Sequence, residues 1–195
     1  MIFEYTDEQL NALKKKDKKL SELINKIGKI EREINPNVFY ELIRSVVAQQ
    51  ISTKAAETVF SRLCNLCDIS VQGIKKISAE EIRLCGMNEK KAGYIKNIAN
   101  ANIDFENLKD KSDEEIIKEL TEIKGVGIWT VEMLLIFSLG RMNILSYGDL
   151  IIKKGIMNLY GHKELNKEKF GKYKKRYSPY GTIASLYLWE SANLN

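Results

Sequence analysis

A chain of 195 residues with 44% hydrophobic residues, 29% charged residues, two prolines and a net charge of +5 is sized for one domain or two small lobes sharing a core. It holds no apolar run of about 18 residues that could span a membrane, and its start, MIFEYTDEQLNALKKKDKK, lacks the apolar stretch and cleavage site of a secretory signal. Three cysteines, an odd number, argue against a disulfide framework and fit a reducing compartment, so a cytoplasmic protein is expected.

Nearly every segment carries helical periodicity. Thr6 is placed to cap a first helix, and a second is expected to continue through LSELINKIGKIEREI. In NPNVFYELIRSVVAQQ, Asn35 reads as an N-cap with Pro36 at the first helical position, and Val38, Phe39, Leu42, Ile43, Val46 and Val47 form one buried stripe. Further helices are expected at 53 to 66 and at 79 to 85, the latter opened by the capping box Ser78 to Glu81 and ended near Gly86. Another covers about 89 to 101, and the next, 113 to 122, is opened by Ser112 with Glu115 three residues on. Helices at 128 to 139, about 148 to 160, 166 to 175 and 179 to 191 complete the chain. No segment alternates as a half-buried strand does, so the fold class is all-α.

Cys64 and Cys67 form a CxxC pair that, with Cys85 and the single histidine His162, would just make up a zinc set. The pair lies late in an amphipathic helix, where cysteine serves as a small buried apolar residue, and this reading is preferred. His162, beside Gly161 in a turn, reads as an ordinary surface histidine. Between Lys153 and Arg176 nine basic residues face only Glu164 and Glu168, a distribution suited to a phosphate-rich partner or to a solvated helix face.

The segment EIKGVGIWT, residues 122 to 130, sits between two expected helices. Glycines in such a turn allow positive φ and close approach of another backbone. The amides of the helix that follows favour an anion such as a DNA phosphate. A dinucleotide fingerprint is excluded, because Thr130 stands where a third glycine is needed and no strand precedes the loop.

LTEIKGVGIWTVEMLLIFSLG resembles the hairpin of the helix-hairpin-helix DNA glycosylases, and GDLIIKKGI resembles the segment carrying that family's invariant aspartate. LIRSVVAQQIST and GMNEKKAGYIKNIA are similar to the branch typified by DNA-3-methyladenine glycosylase II. The matches run in order from about residue 38 to 190; Lys124 departs from the usual proline, and only the helical catalytic core is expected, without the extra N-terminal β domain of the longest relatives. The resemblance implies one glycosylase domain, a two-lobed helical bundle with an active-site cleft between the lobes. Lobe one would cover roughly 36 to 145, including the hairpin 113 to 139, and lobe two roughly 1 to 35 plus 146 to 195.

The same resemblance implies a function and its residues. Asp149, the only acid in ILSYGDLIIKKGI, takes the catalytic position, where a carboxylate stabilises positive charge on the sugar and orients or deprotonates water; without the resemblance it would read as a helix cap. Trp129 stands where relatives that also cut the strand carry a lysine that forms a Schiff base, so a monofunctional enzyme is implied. Trp129, Tyr180 and Met133 line the base pocket, where aromatic faces suit cationic methylated purines. Gln50, with Gln49 beside it, takes the wedge position that fills the gap left by a flipped nucleotide. Lys124, Gly125, Gly127 and Thr130 hold a backbone phosphate.

The implied partner is double-stranded DNA containing damaged bases, met by a monomer, with no membrane involved. No catalytic cofactor is expected. A monovalent cation at the hairpin carbonyls is allowed, and an iron–sulfur cluster is excluded because no cysteine follows Cys85. The leading expectation is a monofunctional alkylpurine glycosylase of base excision repair. The alternatives are a glycosylase of the same fold for an oxidised or deaminated base, and a non-catalytic DNA-binding protein.

Overall fold

The computed structural model describes residues 1–192. In chain order the helices are α1 (Asp7–Lys16), α2 (Lys18–Ile27), α3 (Val38–Ala48), α4 (Thr53–Leu66), α5 (Val71–Lys76), α6 (Ala79–Leu84), α7 (Glu89–Asn100), α8 (Asp113–Thr121), α9 (Ile128–Phe137), α10 (Leu150–Tyr160), α11 (Lys167–Tyr177) and α12 (Gly181–Ser191). A short 3-10 helix, Asn107–Asp110, precedes α8. The fold is all-α, and among the described residues the only β pairing is an isolated antiparallel bridge between Ile2 and Glu33.

Local chemistry accounts for most helix starts. Capping boxes at Thr6 with Gln9, Ser78 with Glu81 and Ser112 with Glu115 open α1, α6 and α8. Each satisfies two backbone donors that a helix start otherwise leaves unpaired.

Three local expectations are corrected. Helix α2 stops at Ile27 instead of continuing to Ile34, because Gly28 leaves the helix at φ 81° and the next residues run extended. There the amide of Phe3 donates to Arg32 O at 2.7 Å and that of Ile34 to Met1 O at 2.8 Å, so the terminal segment takes up the hydrogen bonds a longer helix would have used. The N-cap of α3 is Asn37, whose side chain accepts from the Tyr40 amide at 2.9 Å, while Asn35 accepts from the Asn37 amide and donates to Glu41, leaving Pro36 outside the helix. His162 is no ordinary surface residue: its Nε2 lies 2.6 Å from the Tyr173 hydroxyl and its ring stacks on Tyr160.

The chain divides into two units, Met1–Ile34 with Leu135–Asn195, and Asn35–Leu134. In the first, α12 is buried on nearly every side from Gly181 to Leu188, as expected of a helix at the centre of a bundle. Leu13, Leu20, Ile24, Ile152, Ile156 and Tyr177 pack in the same core. Gly155 of α10 is required here, since a Cβ at that position would stand 2.2 Å from Leu188 O. Its absence lets the backbones of α10 and α12 approach directly.

In the second unit the stripe of α3 is buried as its spacing predicts. It packs in a core that includes Leu63, Ile95, Ile98, Leu108, Ile116 and Leu120, and Phe39 meets Phe105 edge to face at 5.2 Å. Each such side chain contributes about 1.5–3 kcal/mol of burial.

Candidate active site

The hairpin loop, α8 and α9 as far as Leu134 belong to the second unit. The loop is fixed from below by Ile123 and Val126, both buried, with the Val126 amide donating to Ile123 O at 3.0 Å. Lys124 and Gly127 are thereby turned outward. Gly125 has φ +107°, and a Cβ there would enter the Tyr94 ring at 2.2 Å. A Cβ on Gly127 would meet nothing within 4 Å, so that glycine leaves room in front of the loop without being needed for packing. The Gly127 carbonyl accepts from the Val131 amide at 3.1 Å and so begins α9.

The first turn of α9 shows large apolar groups to solvent, with Ile128 59% and Trp129 42% exposed. Thr130 and Met133, one residue and one turn further on, are buried. The buried side chain of Thr130 leaves its backbone as the group to meet a phosphate, and Met133 is a core side chain.

The end of α3 lies in the same unit. Gln49 is the C-cap of α3, and its Nε2 donates to Gly125 O at 3.4 Å, tying the glutamine turn to the hairpin. Gln50 is exposed and has φ +60°, the only non-glycine positive φ among the described residues. Left-handed backbone costs a side chain-bearing residue about 1–2 kcal/mol, and such residues concentrate where a protein must present a group.

Sequence reasoning placed the helix over 89 to 101 but missed that it joins these two features. Along α7, Lys91 Nζ donates to Val47 O at 2.8 Å, Tyr94 lies under Gly125, and Asn97 Nδ2 donates to Lys124 O at 3.3 Å. Burial pushes the Lys91 ammonium below the usual lysine range. The signal was the repeat of these three residues at intervals of three, which places them on one helix face.

Asp149 and Tyr180 belong to the first unit. Asp149 is 5% exposed and is the N-cap of α10, one carboxylate oxygen accepting from the amides of Ile151 and Ile152, both at 2.9 Å. The cap reading and the family reading therefore fall on the same residue and do not compete, since the cap fixes the carboxylate. Beside it Leu150 and Ile151 are 72% and 47% exposed. Tyr147, two residues earlier, packs edge to face on Phe170 at 5.2 Å and has Lys153 Nζ 4.8 Å from its ring centre.

The segment leading to Asp149 is laced to the start of α12. Thr182 donates from its amide to Met142 O at 2.9 Å, and its hydroxyl accepts from the Ile144 amide at 3.0 Å. Ser185 Oγ donates to Ile144 O at 2.9 Å, and the Gly181 amide donates to Asn143 Oδ1 at 3.3 Å. Tyr180 sits at the head of this frame, after a cis Ser178–Pro179 bond, with Lys16 Nζ 5.9 Å from its ring centre. The segment before Asp149 is thus tied, at residues 142–144, to the start of α12 that follows Tyr180. The three cysteines are free thiols; against expectation Cys64 is exposed and Cys67 half-buried, because the buried face of α4 is Ala56, Val59, Phe60 and Leu63. Among the described residues no group of three or more His, Cys, Asp or Glu side chains is arranged to hold a metal.

Residues 43–178 match the family model of HhH-GPD superfamily base excision DNA repair proteins. The chain is similar to DNA-3-methyladenine glycosylase 1 of Schizosaccharomyces pombe, with 36% identity over 166 residues that cover 80% of this chain and 73% of that protein. It is similar in structure to the DNA-3-methyladenine glycosidase of Bacillus halodurans, with a TM-score of 0.85 and 33% identity over 100% of this chain and 93% of that one. It is also similar to the S. pombe 3-methyladenine DNA glycosylase Mag1 in complex with abasic DNA, with a TM-score of 0.84 and 33% identity over 97% of this chain and 98% of that one.

Proposed function

We propose that this chain, which belongs to the HhH-GPD superfamily of base excision DNA repair proteins, is a monofunctional DNA glycosylase. It flips alkylated purines of the 3-methyladenine and 7-methylguanine type out of double-stranded DNA and hydrolyses their N-glycosidic bond, leaving an abasic site. The observation that carries this reading is Asp149, a nearly buried carboxylate fixed by two helix amides and bordered by exposed apolar side chains.

In this reading the bond between sugar and base breaks with its electron pair leaving on the purine. An alkylated purine already carries positive charge, so it departs without a strong general acid. The sugar becomes oxocarbenium-like, and Asp149 stabilises that charge and takes up the proton of the water that adds to it. Fixing one carboxylate oxygen on the α10 amides removes the cost of orienting it during the reaction. Trp129 offers a half-exposed ring for stacking on a cationic base and cannot form a Schiff base, which supports release without strand cleavage. Tyr180 offers a second aromatic face.

Grip is assigned to the hairpin and the glutamine turn. The open space in front of Gly127 and the start of α9 suit a backbone phosphate, and Gln50 is assigned to the gap in the stack. The lysines of α11, among them Lys169, Lys172 and Lys175, add sequence-independent contacts that weaken with salt. The carbonyls of Ile123, Lys124 and Gly125 each already accept one hydrogen bond, and their second lone pairs fit a monovalent cation with a structural role. No catalytic cofactor enters, and the protein is taken to act as a cytoplasmic monomer.

The test is incubation of wild type and Asp149→Asn with methylated DNA, followed by chromatography of the released bases. Wild type is expected to release 3-methyladenine and 7-methylguanine, and the variant to lose that activity. Absence of both bases with wild type overturns the substrate reading. Strand cleavage without added alkali overturns the monofunctional one.

A further inference from the structure

We propose that Lys91 is a positioning residue that sets where the Gln49–Gln50 turn stands relative to the hairpin. This rests on the glycosylase reading above, in which that turn fills the gap left by a flipped base. Lys91 is 8% exposed, and its Nζ donates to Val47 O at 2.8 Å. That carbonyl lies in the last turn of α3, where carbonyls lack partners within the helix and the helix dipole is negative, so an ammonium is the fitting cap.

Burying an ammonium is costly unless it is hydrogen-bonded, and an apolar side chain would fill the same volume. The lysine is therefore explained by what it holds. Immediately after its carbonyl partner, the chain bends through Gln50 at φ +60°, a conformation that persists only where its surroundings enforce it. From the same face of α7, Tyr94 underlies Gly125 and Asn97 donates to Lys124 O, so one rigid helix touches both the turn and the hairpin. The Gln49 to Gly125 hydrogen bond closes the frame. Helix α7 acts as a ruler between the phosphate anchor and the wedge, and Lys91 is its contact at the wedge end.

The test compares single-turnover release of 7-methylguanine from a fully paired duplex and from a duplex in which the lesion faces a mismatch and flips easily. Lys91→Met keeps the stem and removes the donor. It is expected to lose about ten-fold or more on the paired duplex, and less than about two-fold on the mismatched one, as a small displacement of a positioned group does. Affinity for undamaged duplex is expected to stay at the wild-type value, and Lys91→Arg is expected to restore most of the loss.

A merely structural role lowers both substrates by the same factor, because it acts through the fraction of folded protein. Equal loss on both substrates, or none, overturns the assignment. If Lys91→Met fails to fold, the same ratio is read from Lys91→Gln, which keeps a neutral donor. A wild type that releases base from neither substrate counts against the glycosylase reading itself, and this is seen before any variant is tested.

Discussion

The two units present their candidate residues by opposite means. In Asn35–Leu134 the presenting devices are backbone ones, a left-handed glutamine, a glycine at φ +107° and a helix start, and the groups they offer are exposed. In the other unit the key group is a buried carboxylate, and hydrogen-bonded side chains of Asn143, Thr182 and Ser185 hold the segment before it. Binding a long polyanion calls for amides and side chains at the surface, whereas stabilising a short-lived cation calls for a charge already oriented and shielded from water. The contrast assigns the phosphate anchor and the wedge to one unit and the carboxylate to the other, which adds the α11 lysines.

The sharpest test of that division is Asp149→Asn. Asparagine caps a helix about as well as aspartate, so the melting temperature should move by no more than about 2 °C. Base release should fall by about 10²–10⁴-fold, with DNA affinity by fluorescence anisotropy unchanged. A matching loss of affinity would place Asp149 in the grip and dissolve the comparison.

The glycines of the hairpin come next. Gly125→Ala forces a Cβ into the Tyr94 ring and should cost about 1–3 kcal/mol in urea unfolding, as overpacked sites do. Gly127→Ala should leave stability within about 0.5 kcal/mol and still weaken DNA binding by several-fold. Equal effects of the two changes on stability would mean that the loop is not built as described. In the other unit, Gly155→Ala sets a Cβ 2.2 Å from Leu188 O and should likewise cost about 1–3 kcal/mol. Its effect should fall on base release before DNA affinity.

Gln50→Gly removes the side chain and the backbone strain together. Stability should rise by up to about 1 kcal/mol, while excision from paired duplex falls. An unchanged excision rate would separate Gln50 from flipping.

The smallest effect concerns acid. Burial pushes the Asp17 carboxyl up, but the Leu20 amide and the Arg176 guanidinium outweigh it and hold the carboxyl below its ordinary value. A group with a depressed folded value stabilises the protein above its unfolded value, near pH 4, and that contribution is lost as pH falls through the depressed one. Asp17→Asn should therefore flatten the melting temperature's decline below about pH 4 and leave the neutral range with a small constant loss.

Much of the fold was legible, because caps and spacing are local. Thr6, Ser78 and Ser112 open helices as their sequence context predicts, and the α3 stripe is buried residue for residue. The end of α2 was not legible: its hydrogen bonds go to residues 1–3, a partner no local window contains. Helix α5 was missed despite its Ser70 cap, since Gly73 stands where the equally short α6 has the Glu81 that completes a capping box. At the candidate site, Asp149 and the hairpin were readable from motifs. Burial of Thr130 and Met133 was not, because the two residues before Thr130 in the same helix are exposed. Lys91 could not be distinguished from its exposed neighbour Lys90 until the carbonyl of Val47 was placed beside it.

The hydroxyl of Tyr187 donates to Gly28 O at 2.8 Å and lies 3.4 Å from that of Tyr5, so contacts in this core span as many as 182 residues of sequence. Residues 35–134 form their unit from one uninterrupted stretch, but the other unit needs both ends of the chain. On a ribosome the first can close as soon as it emerges, while the second waits for α12. The half that carries the phosphate anchor and the wedge thus matures before the half that carries the carboxylate, and a nascent chain acquires its anchor before its reactivity.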